Sequence, residues 1–195
     1  MFVKQLRTSI IVLALLTGIT GILYTLAVTV IAQVVFPAMA NGSLVKRDGR
    51  NIGSELIGQP FSDPKYFWGR PSSTMPFPYN ASASAGSNFG PLNPALINAE
   101  KNRIASLKAA DAKNIEPIPV DLVTTSASGL DPHISVAAAL YQISRVARSR
   151  NVNEKSIRSF VDKYTEGREL GFLGEPRVNV LKLNLALDGN VAAGE

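Results

Sequence analysis

The 195-residue chain contains no cysteine. That excludes disulfides, thiolate nucleophiles and thiolate metal sites, so any folded part must stand on its packing alone. Histidine is nearly absent as well. His133 is the only one, in the turn-like Asp131-Pro132-His133, and a metal site would need carboxylates for almost all its ligands. We read His133 as structural and assign no metal ligands. Charged residues make up only 18% of the chain and no basic run exceeds two, so nucleic-acid binding has no electrostatic support. Also missing are a Walker A loop, a Gly-x-Gly-x-x-Gly fingerprint and the Asp-Lys-Thr-Gly-Thr sequence that ATP-driven pumps phosphorylate. Ser62-Asp63-Pro64-Lys65 fits the Ser-x-x-Lys pattern of penicillin-binding proteins. Pro64, however, disfavours the helical turn that would bring Lys65 beside Ser62, and Lys-Thr-Gly is missing. No catalytic residue is assigned, and no route to ATP hydrolysis is visible.

Apolar residues, by contrast, are abundant at 46%, and the excess sits at the amino terminus. No charged side chain occurs between Thr8 and Val45, and residues 10–35 form an apolar run of 26. A helix of that length extends roughly 39 Å, more than the roughly 30 Å hydrocarbon layer requires. The spacing predicts a transmembrane helix at 10–35, a tail at 1–9 and one exported domain at 36–195. Ala38-Met39-Ala40 offers the small-x-small pattern of signal cleavage, but the apolar run is far longer than the roughly 7 to 15 residues of a signal peptide. Lys4 and Arg7 precede the span, whereas its far flank is uncharged until Lys46, which places the amino terminus in the cytoplasm and the domain outside. The domain keeps +3 from 18 basic and 15 acidic residues, with the signs interspersed.

Within the exported part the pattern predicts a small α/β domain. Pro37 is expected to close the span, with a turn at Asn41-Gly42-Ser43. Residues 58–94 are rich in Gly, Pro, Ser and aromatics, which reads as an ordered irregular segment rather than disorder. Asn93 caps a helix to about Ala110, Ser135 caps a second with an apolar stripe from Val136 to Ala147, and Asn153 opens a third. Strands are expected at Ile118–Thr124 and at Arg177–Leu187, the latter with a one-residue phase shift that suggests a bulge.

Two groups of residues are candidates for function. Thr17, Gly21, Thr25, Thr29 and Gln33 recur every fourth residue along one ridge of the span, where small and hydroxyl-bearing side chains let a partner helix approach closely. Ser126, Ser128 and Gly129 lie in the hydroxyl-rich stretch Val123–Asp131, which reads either as a phosphate cradle at a strand end or as the turn that leads into the Ser135 helix.

The sequence as a whole resembles the small C subunit of the bacterial Kdp complex, the high-affinity potassium-transporting P-type ATPase. The resemblance is carried by Asn41-Gly42-Ser43-Leu44, Gly53-Ser54, Leu56-Ile57-Gly58-Gln59, Tyr66-Phe67, Gly69-Arg70-Pro71-Ser72, Tyr79-Asn80 and Gly86-Ser87-Asn88. It continues through Ser126 to Ser135, Gln142, Arg145-Val146-Ala147, Val180, Leu183-Asn184 and Leu187-Asp188. Tyr24-Thr25 departs from the family's frequent Tyr-Pro and bears only on a helix kink. The resemblance implies a bacterial inner-membrane accessory subunit that assembles with a channel-like potassium-translocating subunit and an ATP-hydrolysing subunit, and stabilises the complex. It also implies a catalytic chaperone that raises ATP affinity in the hydrolysing subunit, with a Ser-Gly region and a following glutamine likened to an ATP-binding-cassette signature. On this chain those are Ser126, Ser128, Gly129 and Gln142. No cofactor is expected to be tightly bound, and ATP would be met through the complex. The rival classes are a tethered periplasmic cell-wall enzyme and a secreted binding protein cut after Ala40.

Overall fold

The computed structural model describes residues 2–191, and the chain divides into two compact units, residues 1–52 and 53–195. In the first unit an unbroken helical stretch runs from Phe2 to Val35. It comprises α1 (Phe2–Thr17), a π-helical turn (Gly18–Leu23) and α2 (Tyr24–Val35). The helix therefore begins well before Ile10. Its apolar side chains are exposed along its whole length, as lipid or a partner helix requires. Pro37 closes this helix through the residue before it, and Val35 is the last helical residue, as expected. Phe36 breaks it at φ −132°, ψ 53°, outside the α region that a following proline disfavours, and Pro37 then takes the first position of the short α3 (Pro37–Ala40). A hairpin of β1 (Leu44–Arg47) and β2 (Arg50–Ser54) follows.

The second unit is built on α5 (Val136–Arg150), α6 (Glu154–Lys163) and α7 (Val180–Val191), with a small antiparallel sheet in the order β3 (His133–Ser135), β5 (Arg177–Asn179), β4 (Thr165–Glu166). The expected caps are all present: Asn93 Oδ1 accepts from Ala95 N, Ser135 Oγ from Ala138 N and Asn153 Oδ1 from Lys155 N. The first of these opens α4 (Pro94–Ala110), which buries only Leu107. Ala138 and Ala139 of α5 are fully buried, and the core gathers Ile143, Val146, Ile157, Val161, Val178, Leu183 and Leu187.

One expected strand is shortened and another is absent. Arg177–Leu187 is a strand only to Asn179, and the phase shift read as a bulge is the point where a period of 2 gives way to 3.6. From there Val180, Leu183, Asn184 and Leu187 share one buried face, and Leu and Ala favour a helix. Asn179 caps the first turn, its Oδ1 accepting from Lys182 N at 3.1 Å. Ile118–Thr124 is irregular with a 3₁₀ turn at Val120–Leu122, because Pro117 and Pro119 have no amide hydrogen to give a ladder.

The irregular segment is ordered, as its aromatics implied, and its anchor is a pair of amide side chains. Asn184 Oδ1 accepts from Phe67 N at 2.8 Å and its Nδ2 donates to Phe67 O at 2.9 Å. Gln142 does the same to Trp68, at 2.8 and 3.1 Å. Each amide acts like a neighbouring strand toward a buried residue. Replacing Asn184 by Ala should leave two buried backbone groups of Phe67 unpaired and cost about 2–4 kcal/mol. We expect the apparent Tm of the detergent-solubilised chain to fall by roughly 5–15 °C. The exposed Asn51→Ala should shift it by no more than about 2 °C.

Candidate functional site

In the span, the ridge residues lie on α1, the π-helical turn and α2, and Thr25 and Thr29 differ in chemistry from free hydroxyls. Thr25 Oγ1 donates to Gly21 O at 2.7 Å and Thr29 Oγ1 to Thr25 O at 2.7 Å, so these hydroxyls are satisfied by their own helix. The face they offer outward is methyl groups and the bare Gly21. A Cβ added at Gly21 would lie 3.8 Å from Thr17 Cγ2, which is open van der Waals contact. The π turn spans Gly21, and its wider winding offsets the drift that residues every fourth position otherwise show around a helix. Gln33 has a partner at the helix end: Asn41 Nδ2 donates to Gln33 Oε1 at 3.1 Å.

In the second unit the hydroxyl-rich turn holds the irregular segment. Ser72 Oγ donates to Gly129 O at 2.7 Å, Ala85 N and Ser84 Oγ both donate to Ser128 O at 3.0 Å, and Ser128 Oγ accepts from Leu130 N at 3.1 Å. Gly129 sits at φ +68°, and a Cβ there would come within 2.6 Å of both Ala85 O and Thr74 Cγ2, so only glycine fits. Ser126 is buried. The turn thus spends most of its polar groups on internal contacts.

Gln142 lies on α5 and is 1% exposed. Besides Trp68, its Nε2 donates to Ala138 O at 3.1 Å and its Oε1 accepts from Arg145 Nη2 at 2.6 Å. Arg145 lies 4.4 Å over the Trp68 ring and donates to Pro64 O and Tyr66 O. Burial pushes this guanidinium down to about 10, with the Asp111 charge opposing, and it stays charged at neutral pH. Ser126, Ser128 and Gly129 therefore form one turn, whereas Gln142 belongs to the clamp that holds Trp68.

A cluster that spacing did not single out lies beside the turn. A cleft of about 320 Å³ is lined by Arg70, Asp121, Asp131, His133 and Arg177 among others. Arg70 Nη1 donates to Asp131 Oδ2 at 3.2 Å and Nη2 to Thr125 O at 3.1 Å. His133 stands between two carboxylates, with Nδ1 3.5 Å from Asp131 Oδ1 and Nε2 3.7 Å from Glu166 Oε2. Glu166 in turn meets Arg177 at 3.1 Å and Lys182 at 3.9 Å. Burial alone would raise the Asp131 carboxyl, but the hydrogen bonds from His133 and the Arg70 charge outweigh it and hold it below its ordinary value. The signal was the lone His133 two residues after Asp131; its partner Glu166 is distant in sequence.

A family model described as KdpC, the c chain of K+-transporting ATPase, matches residues 6–189. The chain is 61% identical over 185 residues to the potassium-transporting ATPase KdpC subunit of Sorangium cellulosum, covering 95% of this chain and 97% of that one. It is 59% identical to the subunit of the same name from Methylococcus capsulatus, over 95% and 98%. With that from Dechloromonas aromatica it shares 61% identity over 94% and 96%.

The Asp131 cluster makes a pH prediction. A carboxylate held below its unfolded value of 3.8 adds stability above that value and loses it as the pH falls through the folded value. Unfolding midpoints of the parent chain should therefore fall between about pH 5 and pH 3 more steeply than those of Asp131→Asn. Parallel curves would show that Asp131 is not the group that carries this dependence.

Proposed function

Because the chain belongs to the KdpC family, the c chains of K+-transporting ATPases, we propose that it is a non-catalytic accessory subunit of such a complex, held in the membrane by one helix. The near-complete match, residues 6–189, is the observation that carries this reading. In it, the amino terminus is cytoplasmic, the second unit lies outside, and the span docks through Thr17, Gly21, Thr25, Thr29 and Gln33 on a helix of a potassium-translocating or ATP-hydrolysing subunit. The role is to assemble and stabilise the complex.

The catalytic-chaperone role that the resemblance implies enters only through the complex. With the domain outside and ATP in the cytoplasm, any rise in ATP affinity must pass through the partner subunits rather than through direct contact of Ser126, Ser128, Gly129 and Gln142 with nucleotide. The commitment of Gln142 to Trp68 and Arg145 supports that view.

Orientation is tested with Asn51→Cys, an exposed position in a chain without other cysteines. An impermeant maleimide should label it on intact cells; labelling only after lysis would reverse the topology. Docking is tested by Gly21→Leu, which should lower recovery of the other subunits with the tagged chain by about tenfold while membrane insertion is kept. Leu23→Ala, on the far side of the helix, should change recovery less than about twofold. Equal recovery from both would remove the ridge as an interface.

A further inference from the structure

The carboxyl end of the span passes directly into the hairpin of β1 and β2. Asn41 is tied back to the span, its Nδ2 donating to Gln33 Oε1 at 3.1 Å, and Ser43 N donates to Ala38 O at 2.9 Å. The chain thus doubles back on α3 before Leu44 opens β1. Arg47 stands three residues further on, about 10 Å of strand. Whichever way its strands point, the hairpin is held close to the level at which the apolar helix ends. That level also presents apolar side chains: Phe36 is 55% exposed, Met39 71% and Leu44 50%.

The hairpin itself is basic. Lys46, Arg47 and Arg50 are set against a single acid, Asp48, and all four are exposed. Asp48 and Gly49 have φ of 51° and 76°, the mark of a two-residue hairpin turn, so Arg47 and Arg50 face each other across it. Like charges directly opposite in such a pair repel. Elsewhere the fold neutralises arginines: Arg70, Arg148, Arg150, Arg168 and Arg177 each meet a carboxylate. Among the ion pairs of the described residues none includes Lys46, Arg47 or Arg50.

We infer that this hairpin is a docking surface for anionic phospholipid headgroups, with Lys46, Arg47 and Arg50 donating to lipid phosphates while Phe36, Met39 and Leu44 lie in the interfacial layer. The inference rests on the reading that the apolar helix crosses the bilayer. Guanidinium forks match phosphate oxygens, and a phosphate between Arg47 and Arg50 relieves their repulsion. Apolar side chains beside basic ones are what an interfacial segment presents to a charged membrane. The attraction falls off within a Debye length, roughly 8 Å at physiological salt, and the span keeps the hairpin within that order of distance. Tethering makes the contact intramolecular, so three charges suffice where a free peptide would need more.

The test uses the full chain with Asn51→Cys, its only cysteine, carrying an environment-sensitive fluorophore, in nanodiscs that contain a headgroup-spin-labelled lipid as quencher. Quenching should be about twofold stronger when roughly 30% of the phosphatidylcholine is replaced by phosphatidylglycerol, and about 0.5 M salt should remove the excess. Lys46→Gln/Arg47→Gln/Arg50→Gln should abolish the excess as well. Lys101→Gln/Lys108→Gln/Lys113→Gln takes the same charge from exposed positions of the second unit and should keep it. Equal quenching in the two lipids would overturn the proposal, and so would an excess that both triple variants lose alike, since that is attraction of the whole positive chain. Quenching absent from both lipids would put the hairpin away from the surface and overturn it too. A chain recovered outside the nanodiscs would refute the membrane-span reading and the proposal with it; co-elution with the discs keeps the two failures apart.

Discussion

The packing of the second unit depends on how the backbone at Phe67-Trp68 is satisfied once it is buried. A chain that runs through a core without joining a sheet or helix leaves its amide and carbonyl groups unpaired, at a cost of about 1–3 kcal/mol each. Here Asn184 from α7 and Gln142 from α5 supply donor and acceptor to successive residues. The irregular segment can thereby act as a core element, sending Phe67 and Trp68 inward while its flanks reach the turn at Ser126–Gly129. Arg145 reinforces the clamp by bonding the carbonyls just before it and stacking on Trp68. Polar residues are thus the framework, and the aliphatic core is built around them.

This explains which parts were legible in the sequence. The anchor, the caps at Asn93, Ser135 and Asn153, and the three helices they open depend on local signals: an apolar run, a capping side chain and a period of 3.6. The caps and their helices appear where those signals put them, and the apolar helix ends at Val35 as expected although it begins at Phe2. The end of the chain was misread because Arg177–Leu187 satisfies two periods in succession, and alternation across Leu181, Leu183, Leu185 and Leu187 fits a strand as well as a helix. The capping side chain of Asn179 was the discriminating signal. At Ile118–Thr124 β-branched residues suggested a strand that the neighbouring prolines could not support. The roles of Asn184 and Gln142 were not legible at all, since their partners lie 117 and 74 residues away.

The same argument bears on the hydroxyl-rich turn. The acceptors of this turn hold the irregular segment in place: Ser128 Oγ accepts from Leu130 N, and the carbonyls of Ser128 and Gly129 receive Ala85, Ser84 and Ser72. The small residues are explained by crowding: at Gly86 an added Cβ would meet Ala127 O at 2.8 Å, and at Gly58 it would meet Tyr79 and Asp131 O. The Gly and Ser residues that carry much of the family likeness are those that let the irregular segment lie close against this turn.

The span follows the opposite logic. Thr25 and Thr29 close their hydroxyls onto the preceding turn, so in lipid these two carry no unpaired donor and no polar attraction that would hold a neighbour. A helix docking on this ridge would gain van der Waals contact over Gly21 and the threonine methyl groups, and such contact discriminates partners by shape. Attraction at a distance has to come from elsewhere in the chain. Most of the chain's charged side chains belong to the second unit. An assembly that relied on both would divide the task, with shape complementarity in the bilayer and charge complementarity in water. Each would act in the solvent where it is stronger in relation to its competitors: a point charge on the span would be expelled by hydrocarbon, and a stripe of methyl groups in water would bind any apolar surface.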